Sequence, residues 1–357
     1  MRLGGCVLVE LSVASSFLLG AGIAAQRVGS AVAAELARRD GPPPDLRTSV
    51  LLARSDLSAL PDLAIATEPA GSFLGMSDEI LLDRVRSQPV VRFKVKSGGS
   101  SLSFRLDLAD GSRAAWKPAQ TNLQTIPRKE VAAYRLNRLL GLNAVPPAAP
   151  RAVTREELFA HLHPESASAV PRIQAETLFD VSGKTLGSAS YWIPEIKDSG
   201  FDTPEGMQTW ATWLAQGQSI PPDKRDVAAQ VADLVVFDFL TSNPDRYSGG
   251  NMKMSADGSR LFFMDNTMSF FMQPDGNDKT RWALMRTQRF SRRLYEALGR
   301  IDAASVARAI AKEPGAAAYE ILTPSEIRAV IARRDVVKRH IDELAAQFGA
   351  KNVLAFP

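Results

Sequence analysis

From Pro89 onward the chain alternates between apolar and polar positions. Val91, Phe93 and Val95 are separated by Arg92, Lys94 and Lys96, the period of two that marks a half-buried strand. Ser97-Gly98-Gly99-Ser100-Ser101 interrupts the pattern. Leu102, Phe104, Leu106 and Leu108 then alternate with Ser103, Arg105 and Asp107 in a second strand. Asp110-Gly111 predicts a hairpin turn, whose central residues must tolerate positive φ. A third strand runs from Arg113 to Lys117, where Pro118 stops it. The period then lengthens: residues 128–140 space their apolar side chains as a helix, with Pro127 near its first turn and Gly141 as its stop. Further strands are expected at Ile173–Phe179 and Ala189–Ile196. Between Arg225 and Thr241 apolar residues cover more than one face, which predicts a centrally buried helix. A hairpin follows, with Met252–Met254 and Leu261–Met264 around Ala256-Asp257-Gly258. Thr323-Pro324-Ser325-Glu326 is a capping box with proline at the first helical position, opening a helix to about Phe348.

The first 40 residues follow another pattern. From Val7 to Ala25 the only charge is Glu10, and as a helix this stretch would extend about 28 Å, close to the hydrocarbon thickness of a bilayer. It ends in Ala21, Gly22, Ala24 and Ala25, as a cleavable signal does. Residues 1–40 are therefore expected to be a signal or membrane-anchor segment, making the protein exported or membrane-anchored. The alternative is an Ala-rich soluble helix continued by Glu35 and Arg38-Arg39, and a cytoplasmic protein. Residues 41–75 read as a Pro-rich linker with Gly41-Pro42-Pro43-Pro44 as a stiff spacer.

Composition narrows the chemistry. The chain has 357 residues, 45% of them apolar and 23% charged, and 43 Lys plus Arg exceed 39 Asp plus Glu by only four. That surplus is too small for a nucleic-acid-binding domain. The single cysteine, Cys6, excludes an internal disulfide and a zinc site built on paired thiolates. His161 and His163 have strand spacing for a metal pair but no evident third ligand, and read as a solvated loop. Six arginines between 281 and 300 read as a solvated helix face or as a contact for an acidic group. Carboxylates, amides, lysine and hydroxyls are left to carry any catalysis.

Such residues occur in a suggestive order. Gly98-Gly99 is either a plain turn or a cradle for phosphate. Lys117 closes the third strand. Glu130 lies in the first turn of the helix that follows, where it complements the helix dipole or pairs with Lys117. Asp238, within the apolar helix, needs a partner, for which a structural bond to the next loop is the simpler reading. That loop is Thr241-Ser242-Asn243-Pro244-Asp245-Arg246-Tyr247-Ser248-Gly249-Gly250-Asn251, and the hairpin after it delivers Asp265-Asn266. Asp245 can accept a hydroxyl proton, and Asn251 can offer an amide oxygen to a divalent cation. Asp265 can bridge that cation to phosphate oxygens. Magnesium retains waters, so one or two carboxylates plus a nucleotide suffice.

This ordered set resembles the atypical kinases of the secretory-pathway Four-jointed and Golgi casein kinase group, relatives of the phosphatidylinositol and HipA-like kinases. The resemblance covers about residues 90–345, and its most specific part is Asp245-Arg246 with Asp265-Asn266 after a buried helix. It implies an α+β, bilobed protein-kinase-like fold, with an N-lobe of antiparallel sheet and one helix at 76–196. A mostly helical C-lobe carrying the catalytic-loop hairpin would occupy 197–357. It implies ATP as cosubstrate, with Lys117, Glu130, Gly98 and Gly99 binding it, Asp245 as catalytic aspartate, and Asp265 and Asn251 as ligands of Mg2+ or Mn2+. The acceptor would be a hydroxyl of a protein, sugar or lipid. The chain departs from the pattern in having Tyr247 for histidine, Thr267 for glycine, a gap of six rather than five residues between Asp245 and Asn251, and no cysteines for the disulfides of animal members. The last departure implies a simpler, bacterial member. Two other functions fit the same residues: a pseudokinase acting as a nucleotide-binding scaffold, and an AMP transferase.

Overall fold

A two-residue hairpin, β1 (Ser72–Phe73) and β2 (Met76–Ser77), leads into helix α1 (Asp78–Ser87), which Ser77 caps. The computed structural model describes residues 71–357 apart from Gly249, Ala317 and Ala318. The expected signal or anchor, and the linker up to residue 70, lie outside the described residues. Among the described residues no helix is long and apolar enough to cross a membrane.

The alternating stretches form one antiparallel sheet. Its strands are β3 (Val90–Val95), β4 (Phe104–Leu108), β5 (Arg113–Lys117), β6 (Ala148–Thr154) and β7 (Lys184–Tyr191), in the order β3-β4-β5-β7-β6. Register places Phe104 opposite Trp116 and Trp116 opposite Ala189. Phe93, Phe104 and Trp116 stack on the buried face with ring centroids 5.4 to 6.3 Å apart. Gly187 permits this: a Cβ there would lie 2.2 Å from the Lys117 carbonyl oxygen and 2.7 Å from Trp116 Nε1. Any larger residue would push β7 off β5 at the point where Lys117 emerges.

Helix α2 (Arg128–Leu139) is held along its length. Arg128 makes a two-pronged bond to Glu326 at 2.7 and 2.8 Å, Arg135 pairs with Glu313, and Arg138 with Asp78. Between β6 and β7 the chain forms α3 (Arg155–Ala160), a 3-10 turn and α4 (Val170–Glu176). Here one expectation fails: Ile173 lies in α4, not in a strand from 173 to 179. Pro171 in the first turn suits a helix start, and Ile173 is the residue the helix buries. Only Thr177 and Leu178 run extended: Thr177 pairs with Gln120 in an isolated bridge, and the Leu178 amide donates to the Ala119 carbonyl. His161 and His163 lie in a loop whose backbone bonds to Phe93.

The expected strand 189–196 is interrupted after Tyr191, where β7 ends, and its last residue opens β8 (Ile196–Asp198). It joins β9 (Met252–Ser255) and β10 (Leu261–Phe263) in a second antiparallel sheet, ordered β10-β9-β8. Helices fill the rest: α5 (Pro204–Trp213), α6 (Arg225–Thr241), α7 (Asp278–Arg286), α8 (Arg292–Arg300), α9 (Ala303–Ala311), α10 (Pro324–Phe348) and α11 (Ala350–Val353). Helix α6 is enclosed from Val227 to Thr241 on most sides, as its apolar pattern requires. Both bonds of the capping box open α10, Glu326 to Thr323 oxygen at 3.1 Å and Thr323 to the Glu326 carboxylate at 2.8 Å.

Candidate active site

The site is assembled around one guanidinium. Helix α6 ends where Ser242 takes a left-handed conformation (φ 51°), and the chain turns through Pro244–Ser248. Arg246, in that turn, is fully buried. Its Nε donates to both oxygens of Asp238 at 3.2 and 3.0 Å. Its Nη1 donates to the carbonyls of Asn251 (2.9 Å) and Met264, and its Nη2 to Asn266 Oδ1 (2.8 Å). Arginine suits such a junction because its five donors are fixed in one plane. Burial pushes the Asp238 carboxyl up to about 6, against the pull of Arg246. Asp238 thus has the structural partner the sequence called for.

Amides fix the rest of the loop. The Asp245 amide donates to Asn243 Oδ1 at 3.0 Å, and Asn243 Nδ2 reaches the Asp265 carbonyl at 3.3 Å. Asn251 Nδ2 donates to the Asp245 carbonyl (3.0 Å) and carboxylate Oδ2 (2.9 Å). Asp202, just before α5, accepts from the Asn251 amide at 3.2 Å and holds the loop's far end. The Tyr247 hydroxyl is enclosed without a hydrogen-bond partner, and its burial beside Asp238 raises its pKa well above the phenol range.

On the opposite wall, Lys117 Nζ lies 2.6 Å from Asp265 Oδ1 and 3.3 Å from Thr267 Oγ1. The Thr267 hydroxyl also donates to Asp265 Oδ1 at 2.9 Å. Asp265 has φ 55°, a left-handed conformation that an L residue holds only under constraint. Burial acts to raise its carboxyl, but the Lys117 ammonium, the Thr267 hydroxyl and Arg246 outweigh it and bring it down to about 2. Glu130 departs from the expected ion pair with Lys117. Its carboxylate instead accepts from the Asn266 amide (2.7 Å) and Asn266 Nδ2 (3.0 Å). Asn266 offers two donors at the start of α2, while Asp265 is the anion directly beside Lys117. Burial and then Asp265 push the Glu130 carboxyl up, with Lys117 and the Asn266 bonds opposing.

Gly98 and Gly99 both have positive φ (86° and 84°), and a Cβ on either would meet open space. They are therefore required by the turn and not by close packing. Lys96, at the root of that turn, carries its ammonium 5.3 Å over the Trp192 ring. Burial, then repulsion from Lys117, lowers its pKa, and Asp265 opposes this. Lys96 thus lies within electrostatic reach of the Lys117–Asp265 pair. The sequence concealed it as one more polar residue of the alternating stretch, just past the end of β3; its place directly before the glycine turn was the available signal. Asp202 had no local signal, and Thr267 stood out only as a departure from the family pattern. In the arginine-rich stretch, Arg289 donates to the carbonyls of Trp213 and Gln218, and Arg286 stacks 4.5 Å over Trp282.

Hard oxygen donors at this site fit Mg2+ or Mn2+. Asp265 retains Oδ2, and Asn251, whose nitrogen serves Asp245, retains Oδ1. Among the described residues no group of three His, Cys, Asp or Glu side chains could hold an ion unaided. Such a donor set suits a cation that brings phosphate ligands with it.

No family model matches the chain, and no curated protein matches it. Solved structures do. The chain is similar to the Golgi casein kinase, with a TM-score of 0.60 and 15% identity over 78% of this chain and 76% of that one. It is equally similar to the Golgi casein kinase with Mn and ADP bound, at a TM-score of 0.60 and 15% identity over 78% of each chain. Hydra Fam20 with sugar matches with a TM-score of 0.57 and 19% identity, over 76% of this chain and 90% of that one. At such identities the likeness is one of fold: the chain has the bilobed, kinase-like α+β fold of the Four-jointed and Golgi casein kinase group that its motifs resemble.

Proposed function

We propose that the protein is an ATP- and divalent-metal-dependent kinase that moves the γ-phosphate to a hydroxyl of a protein, sugar or lipid acceptor. The observation that carries this reading is the convergence of Asp245, Asn251, Lys117 and Asp265, with Arg246 bonding the catalytic loop to the Asp265 turn. The similar Golgi casein kinase structure with Mn and ADP supports it.

Phosphoryl transfer passes through a loose transition state, so positioning and charge neutralisation supply most of the rate. Lys117 and Lys96 would bind phosphate oxygens from the sheet side, and the glycine turn would cover them. Asp265 and Asn251 would hold the cation, which would supply charge neutralisation for the phosphates. Asp245 uses Oδ2 on Asn251, leaving Oδ1 to take the acceptor proton. The acceptor oxygen then bonds to the γ-phosphorus as the bond to the β–γ bridging oxygen breaks and ADP leaves. Glu130 acts through Asn266, fixing the turn that presents Asp265. Export or anchoring through residues 7–25 belongs to the same proposal, and fractionation of cells expressing the full chain, or a chain lacking residues 1–40, tests it.

Asp245→Asn and Asp265→Ala are expected to lower phosphate transfer by at least about 100-fold with the circular dichroism spectrum unchanged. A folded Asp265→Ala protein with undiminished transfer would falsify the assignment. Mass spectrometry of the acceptor separates the rivals: a gain of AMP identifies an AMP transferase, and ATP binding with no product identifies a pseudokinase.

A further inference from the structure

We infer that Lys117 is shared between two anions, so that Asp265, through its open Oδ2, binds a cation tightly only when a polyphosphate draws the lysine's charge away. Nucleotide and cation would then bind as a coupled pair, with Thr267 as the positioning residue that sets the resting state. This rests on the nucleotide-binding reading above.

The observations are geometric. In the resting arrangement one carboxylate oxygen, Asp265 Oδ1, takes both the Lys117 ammonium at 2.6 Å and the Thr267 hydroxyl at 2.9 Å. Thr267 is buried, and its oxygen also lies 3.3 Å from Lys117 Nζ, so the hydroxyl closes a three-membered set. The backbone of Asp265 is held in place. Its carbonyl is bonded by Asn243 and the next amide by Glu130, on either side of a left-handed residue. Lys117 is the movable member: a four-carbon stem ends in a compact charge, and its side chain keeps 17% exposure at the cleft. Lys96 adds a second positive charge nearby, which favours arrival of an anion for the two ammonium groups to share.

A bare divalent ion must compete with an ammonium already in contact with its carboxylate ligand. Once phosphate oxygens take over Lys117, that competition ends. Linkage makes the effect reciprocal, so the cation tightens nucleotide binding by the same factor, typically about 5–150-fold.

The test uses the full chain, Mn2+ and ADP. Free Mn2+ is followed by electron paramagnetic resonance with and without saturating ADP, and ADP binding without metal by calorimetry. Wild type should bind Mn2+ weakly alone and ADP measurably without metal. The decisive variant is Lys117→Met, which should bind Mn2+ alone at least about 5-fold tighter than wild type while losing ADP affinity. Thr267→Val should shift Mn2+ affinity the same way by a smaller factor, and serves if Lys117→Met does not fold. Adding Asp265→Asn should cancel either gain. Equal Mn2+ affinity in wild type and both single variants would overturn the latch while leaving the kinase reading standing. If wild type binds neither ADP nor Mn2+–ADP, the nucleotide reading fails and the latch fails with it.

Discussion

The Asp238–Arg246 pair is wholly enclosed, with both side chains at 0% exposure, whereas Lys117 and Asp265 keep 17% and 35%. The enclosed arginine commits its nitrogens to Asp238, two carbonyls and Asn266. The open lysine touches one carboxylate and one hydroxyl. The difference is instructive because the two pairs share a site and have the same charges. A desolvated pair whose donors are committed cannot change partners without stranding a charge. A half-open pair can, since water and incoming phosphate offer alternatives. The first arrangement suits a frame, and the second suits a binding step.

Breaking the enclosed pair should have the largest effect. Arg246→Ala or Asp238→Ala leaves an uncompensated buried charge, and each should lose about 3–5 kcal/mol of stability, read from urea unfolding. A Tm unchanged in Arg246→Ala would show that the guanidinium is not the junction described.

Asp233 sharpens the contrast from within the same helix. It lies one and a half turns before Asp238 on α6, is also buried though less completely, and has an unpartnered oxygen. Burial pushes its carboxyl up to about 7, with only Arg293 opposing. The folded state therefore keeps a proton that the unfolded chain releases near pH 4. The resulting stability is fully present below that pH and lost as pH rises toward 7. Asp233→Asn should become more stable relative to wild type between pH 4 and pH 8, by up to about 1–4 kcal/mol. A pH-independent difference would mean that Asp233 has a partner in solution.

The smallest effect concerns the open pair. Asp265 has its carboxyl lowered to about 2, so its contribution is present above the unfolded value near 4 and lost as pH falls toward 2. Solvent screening keeps this small. Subtracting the Lys117→Met stability profile from that of wild type should isolate a slope confined to that acidic window; a flat difference would mean that the two groups are not paired.

Much of this frame could be read directly. The β3–β4–β5 meander, α2, α6 and the α10 capping box follow from period, turn chemistry and caps, which depend on residues a few positions apart. The order Lys117, Glu130, Asp245, Asn251, Asp265 was also legible, since each falls at an element end or in a loop. The strand expected at 173–179 failed because a short apolar run fits a helix turn as well as a strand, and Pro171 favoured the helix. Asp202 and Lys96 stayed hidden because their importance lies in what they face across the fold.

Glu130 shows where sequence stops. Its position in the first turn of a buried helix could be read from the chain, along with the presence of a lysine and an aspartate for it to serve. Which anion meets Lys117 could not, because Glu130, Asp265 and Asn266 compete for partners separated by more than a hundred residues. Local chemistry determined the elements, the left-handed turns and the supply of carboxylates, amides and lysines. Only tertiary packing decided that Arg246 would be sealed and Lys117 left movable, since desolvation and hydrogen-bond competition depend on everything that surrounds a group.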